Sequence, residues 1–170
     1  VEASAEVVAV EAADGTAGSG PAADWLILRI DSSLGAQFGT LPVRADIRGS
    51  YPGIGNRDLR APGYGAGGEA GSGTTLTVGR SCAVREANLP PTSGMFFHDC
   101  AITSGSSGGP ILRCASSTNC WIVGVVASQV MPGMVAGTAG VIFPLGYDPD
   151  FPNLAVSATR FLGPLERLLD

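Results

Sequence analysis

Gly105-Ser106-Ser107-Gly108-Gly109-Pro110 is the stretch that decides how this chain is read. It lies between an irregular approach, Ala101-Ile102-Thr103-Ser104, and an apolar strand that opens with Ile111-Leu112. Glycine lets the backbone take the dihedrals of a tight turn and leaves room for a ligand beside the main chain. A serine held there can point its hydroxyl outward while nearby N–H groups converge on one oxygen of a substrate, the geometry acyl transfer needs. Glycine and serine also fill ordinary turns, so the rest of the chain has to support the functional reading.

The strand after the hexapeptide, Pro110 to Arg113, is followed by a turn-forming run and by a second apolar strand, Trp121-Ile122-Val123-Gly124-Val125-Val126-Ala127. Cys114 and Cys120 flank that turn, Ala115-Ser116-Ser117-Thr118-Asn119, which favours pairing them across a hairpin. Cys82 is then left with Cys100, although the other two connectivities and four reduced thiols stay open at this point. Neither pair has the short ligand spacing of a structural zinc centre, so an oxidising compartment, secreted or periplasmic, is expected rather than a metal site. No metal or organic cofactor is implied.

Composition bounds the answer. A chain of 170 residues with 45% apolar and 15% charged residues can bury a core and is not a disordered polymer. Its 25 glycines and 12 prolines imply many turns and short strands, hence an all-β architecture. The formal charge of -5 and the lack of a basic cluster exclude nucleic acid as an expected partner. No apolar run approaches a membrane span, and Val1-Glu2-Ala3-Ser4 does not open a signal peptide. Every basic residue is arginine, which with the abundant alanine and glycine points to a GC-rich bacterial source.

Upstream, residues 5–12 read as a strand, and Asp24-Trp25-Leu26-Ile27-Leu28-Arg29-Ile30 as another entered through an aspartate. Leu41 to Gly73 reads as linker and surface loops with one short strand near Leu59. Further strands are expected at Thr74–Val78, Ala83–Val84, Met95–His98, Gly140–Pro144 and Asn153–Val156. Leu89 to Thr92 is expected as a turn and Met131 to Met134 as a loop. From Ala158 to Asp170, apolar residues recur at helical spacing, which predicts a C-terminal helix.

Gly105 to Pro110 resembles the Gly-Asp-Ser-Gly-Gly-Pro signature of trypsin-like serine proteases, with Ser106 where the family carries aspartate. The strand at Asp24 resembles the family's Asp-Ile-Ala-Leu-Leu-Arg-Leu, and Ala61-Pro62-Gly63-Tyr64-Gly65 resembles the turn that opens the second barrel. The resemblance implies a chymotrypsin-like double antiparallel β-barrel with the first barrel incomplete, plus a C-terminal α-helix. Residues 1–45 would be the remnant of the first barrel and 46–170 the second. It implies Ser107 as nucleophile, Asp24 as the acid that orients the catalytic imidazole, and the N–H groups of Gly105 and Ser107 as the oxyanion hole. Ala127, Ser128 and Gln129 would form one wall of the substrate pocket, with Ala101 and Ile102 its floor and other side. The family's strands also bring Cys82 near Cys100.

Three departures matter. Ser106 carries no charge, so the pocket loop cannot be ordered by pairing with a freed N-terminus; glutamyl-endopeptidase-like bacterial relatives share that feature. Ala101, six residues before Ser107, replaces the acid that selects basic side chains, so cleavage after a small or medium apolar residue is expected. The base is also missing: the one histidine, His98, lies downstream of Asp24, against the family's His…Asp…Ser order. Three accounts compete: an upstream segment of the same protein supplies the histidine, the chain is an inactive protease fold binding peptides or a partner protein, or His98 serves in a rearranged site. The first is favoured. The 170 residues alone are then expected to have little or no peptidase activity toward a polypeptide substrate.

Overall fold

The computed structural model describes residues 4–11, 21–45, 57–64, 76–85, 94–102, 105–129 and 153–170. The expected strand at 140–144, the loop at 131–134 and the turn at 89–92 lie outside them. The described part is strand-rich and antiparallel, with a short helix at its end, as expected of a trypsin-like all-β barrel fold.

β1 (Ala5–Glu11) and β2 (Trp25–Ile30) form a two-stranded sheet, with a bulge between Val7 and Ala9. A 3₁₀ turn, Pro21–Ala23, leads into β2 and packs on the second sheet. Side chains alternate across a strand. Leu26, Leu28 and Ile30 therefore share one face of β2, and all three are exposed, at 53%, 50% and 43%. Trp25, on the other face, has its ring 6.1 Å from that of Phe161. α1 (Leu34–Phe38) follows, a short helix with no side-chain cap at Ser33 and no buried residue.

The second sheet comprises β3 (Leu59–Gly63), β4 (Thr77–Cys82), β5 (Val84–Arg85), β6 (Met95–His98), β7 (Pro110–Cys114), β8 (Cys120–Gln129) and β9 (Asn153–Ser157). Their order is β4-β3-β7-β8-β9-β6-β5. The two edge strands are successive pieces of one segment, separated only by Ala83. Residues 77–85 thus pair with β3 through their first part and with β6 through their last, curling the sheet on itself. Curling removes the exposed edges that open sheets must otherwise protect.

Inside lie Leu59, Phe96, Ile111, Trp121, Val123, Val126 and Ala155. Each large apolar side chain buried there contributes about 1.5–3 kcal/mol. At Gly124 of β8 the Phe96 ring lies against the backbone: a Cβ there would sit 2.7 Å from Phe96 Cε1 and 2.5 Å from the Val156 carbonyl oxygen. The Cys82–Cys100 disulfide ties the end of β4 to the segment after β6, and Cys114–Cys120 closes the β7–β8 hairpin. α2 (Leu162–Leu169) starts four residues later than its periodicity implies. Residues 158–161 form a tighter turn instead, with Phe161 N–H donating to Ala158 O.

Candidate active site

The Gly-Ser-Ser-Gly-Gly loop is a turn fixed on two sides. Gly105 and Gly108 take φ of 89° and 82°, left-handed values that cost an L-residue with a Cβ about 1–2 kcal/mol. The Gly109 N–H donates to Ser106 O at 2.9 Å and closes the turn. Two bonds then join it to β8, Gly108 N–H to Val126 O and Val126 N–H to Gly109 O, both 2.8 Å. On the opposite side is β3, whose ladder to β7 covers only Leu59 and Arg60. Beyond those pairs, Pro62 and Gly63 face the loop: Cβ atoms built on Gly109 and Gly63 would lie 3.0 Å from Pro62 O and 3.3 Å from Ser106 Oγ.

This clamping sorts the two serines. Ser106 is buried and Ser107 exposed. Ser107 Oγ donates to Ala127 O at 3.3 Å. That carbonyl is at hand because β8 shifts register against β9 between Val126 and Ser128, leaving Ala127 as the extra residue of a bulge. Among the described residues, none accepts a hydrogen bond from the amides of Gly105 or Ser107.

Around the loop, Ala101 is exposed and Ile102 half-buried against the core, while Ala127 is buried and Ser128 half-buried. Gln129 ends β8, paired with Asn153 of β9. Ala101 is pressed on β4: a Cβ on Gly79 would come within 2.6 Å of Ala101 O. Asp24 stands exposed at the entry to β2, with no hydrogen bond to Ser107 or His98 among the described residues. His98 is fully buried, and burial pushes its pKa down to about 4 against a smaller opposing effect of the Asp99 charge. Its ring is thus neutral near pH 7. The Ala127 carbonyl and the Pro62–Gly63 backing of the loop were not readable in the sequence, because both depend on register between distant strands.

The described residues hold no cluster of histidine, cysteine, aspartate or glutamate suited to a metal ion. No helix among them is long and apolar enough to cross a membrane. Compared with curated proteins, the chain has no match. A family model, the trypsin-like peptidase domain, matches residues 1–121, from the start of the chain through the nucleophile-type loop into β8. That span is well over half of the 170 residues, and with the curled antiparallel sheet it places the chain in the trypsin-like peptidase family.

Proposed function

We propose that the chain is the catalytic portion of a secreted or periplasmic bacterial serine endopeptidase, of the glutamyl-endopeptidase-like kind, whose nucleophile is Ser107. The observation that carries this is the exposed Ser107 on a turn with two left-handed glycines, stitched to β8 and backed by β3. A base takes the Ser107 proton as Oγ attacks the scissile carbonyl, displacing the contact to Ala127 O. The oxyanion forms against the amides of Gly105 and Ser107. The base then returns the proton to the leaving amine, and water hydrolyses the acyl-enzyme in the same way.

Its base is not His98, the one imidazole of the 170 residues, which is buried and bonded elsewhere. We assign the base to polypeptide upstream of residue 1, ahead of Asp24 as the orienting acid, with residues 1–45 as the end of a first barrel and 46–170 as the second. The half-exposed apolar face of Leu26, Leu28 and Ile30 supports that assignment, since such a face is suited to cover by further chain. Ala101, Ile102, Ala127, Ser128 and Gln129 line the substrate pocket, which suits a small or medium apolar side chain. A dominant preference for Arg, Lys or Glu in a peptide-library digest by the full-length protein would overturn that specificity.

A second reading, an inactive module that binds extended peptides or a partner protein, is favoured by the lack of any imidazole bonded to Ser107 among the described residues. A fluorophosphonate probe separates the two. The proposal predicts labelling of the full-length protein at Ser107, abolished in Ser107→Ala and slowed about 10⁴-fold in the 170-residue chain. An unlabelled full-length protein supports the binding module.

A further inference from the structure

His98 has no part in that chemistry, yet it is the only histidine of the chain and is completely enclosed. It ends β6, its ring 6.2 Å from that of Phe96. Nδ1 accepts the Cys100 N–H at 3.3 Å, which fixes the neutral tautomer with its proton on Nε2. Cys100 is held from its other side as well: Asn153 Nδ2 donates to its carbonyl at 2.7 Å, and its sulfur is bonded to Cys82. The chain then runs directly into Ala101 and Ile102. His98 is therefore one of the groups that fix the peptide from which this part of the pocket departs.

Protonation is opposed by geometry. It would place a second N–H at Nδ1, facing the Cys100 N–H, while Nε2–H already lacks an acceptor among the described residues. The one charge next to the ring in sequence is Asp99, whose carboxylate is taken up by Arg57, Arg85 and the Ala83 N–H. Across the sheet His98 is paired with Val84 of β5 and Asn153 of β9, neither of them ionisable. Arg85, the charged residue of β5, is bound to Asp99.

We infer that His98 is a positioning residue for the substrate pocket: its neutral ring anchors the Cys100 amide and with it residues 100–102, and acid releases the anchor. This rests on the assignment of Ala101 and Ile102 to the pocket. Opening the segment returns the ring to its ordinary pKa near 6.5, from about 4 when enclosed. Linkage then multiplies the opening equilibrium about 25-fold between pH 7 and pH 5.

Because the chain has a single histidine, the test is direct. Nitrogen NMR of the histidine-labelled protein should show one ring protonated at Nε2 at pH 7 and no titration midpoint above pH 5. Exchange protection of the Cys100, Ala101 and Ile102 amides, corrected for intrinsic rates, should fall about 25-fold from pH 7 to pH 5. In His98→Asn, whose side-chain oxygen keeps an acceptor that does not titrate, it should change less than about threefold. A midpoint near 6.5, a proton on Nδ1, or an equal acid response in His98→Asn would overturn the inference. If the variant does not fold, the tautomer and midpoint of the parent protein decide. None of these readouts uses Ser107 chemistry, so their failure and a failure of Ser107 labelling are separately visible.

Discussion

Replacing Gly109 by alanine tests whether packing holds the candidate nucleophile loop. The new Cβ would lie 2.9 Å from Ser106 O and 3.0 Å from Pro62 O, and both are backbone atoms that no side-chain rotation can move. Ser106 O already accepts the Gly109 N–H, and Gly109 O accepts the Val126 N–H, so relief has to come from sliding the turn off β3 or loosening its tie to β8. Such overpacking costs about 1–3 kcal/mol. A displacement of Ser107 approaching ~1 Å slows an attack that depends on alignment by up to about 100-fold. Urea unfolding at constant m-value reads the first effect, and the fluorophosphonate rate of the full-length protein reads the second. Gly108 is the control: nothing lies within 4 Å of its Cβ position, but its φ of +82° is unfavourable for alanine. Gly108→Ala should lose about 1–2 kcal/mol and Gly108→Asn less, since asparagine tolerates left-handed dihedrals. A Gly109→Ala variant that stays within about 0.5 kcal/mol of the parent, the range of an inert surface change, and labels at the parent rate would show that this packing does not hold the loop.

The two disulfides close loops of different length. With separations of 18 and 6 residues, the loop-entropy relation gives losses of about 3 kcal/mol for the Cys82→Ala/Cys100→Ala pair and about 2 for Cys114→Ala/Cys120→Ala; the reverse ranking in urea titrations would contradict it. His98 titrates lower in the fold than in the unfolded chain, so its stabilisation is full above pH 6.5 and is lost as pH falls toward 4. Its share between pH 7 and pH 4 is about 3 kcal/mol, read as the difference in acid destabilisation between the parent and His98→Asn. Ser81 has a φ of 56°, so Ser81→Gly should relieve left-handed strain and stabilise the fold by up to about 1 kcal/mol, against the chain entropy glycine adds. A destabilised Ser81→Gly variant would show that its side chain matters more than its dihedral.

The buried strands were legible because their apolar runs are bounded by turn residues. Met95–His98 is the strand read from the sequence, and the apolar run at Trp121–Ala127 lies inside the longer β8. The turn between Cys114 and Cys120 was readable as a hairpin for the same reason, and the two cysteines are bonded across it. Less visible was the double pairing of residues 77–85, since nothing local marks Ala83 as the place where one strand changes partners. α1 left no trace because it has neither a cap nor a buried face. At the candidate site, the glycines announced a turn and hence an exposed serine. The carbonyl that receives the Ser107 hydroxyl was hidden, since a bulge at Ala127 follows from how β8 meets β9 some thirty residues on.

In the proposed site the Ser107 hydroxyl and the amides of Gly105 and Ser107 face one small cavity. A crystal structure of the full-length protein treated with a peptidyl phosphonate measures this most directly. A bond from Ser107 Oγ to phosphorus is expected, with one phosphoryl oxygen about 3 Å from both amide nitrogens. An adduct on another residue, or a phosphoryl oxygen on Ser107 turned away from both amides, would contradict that arrangement.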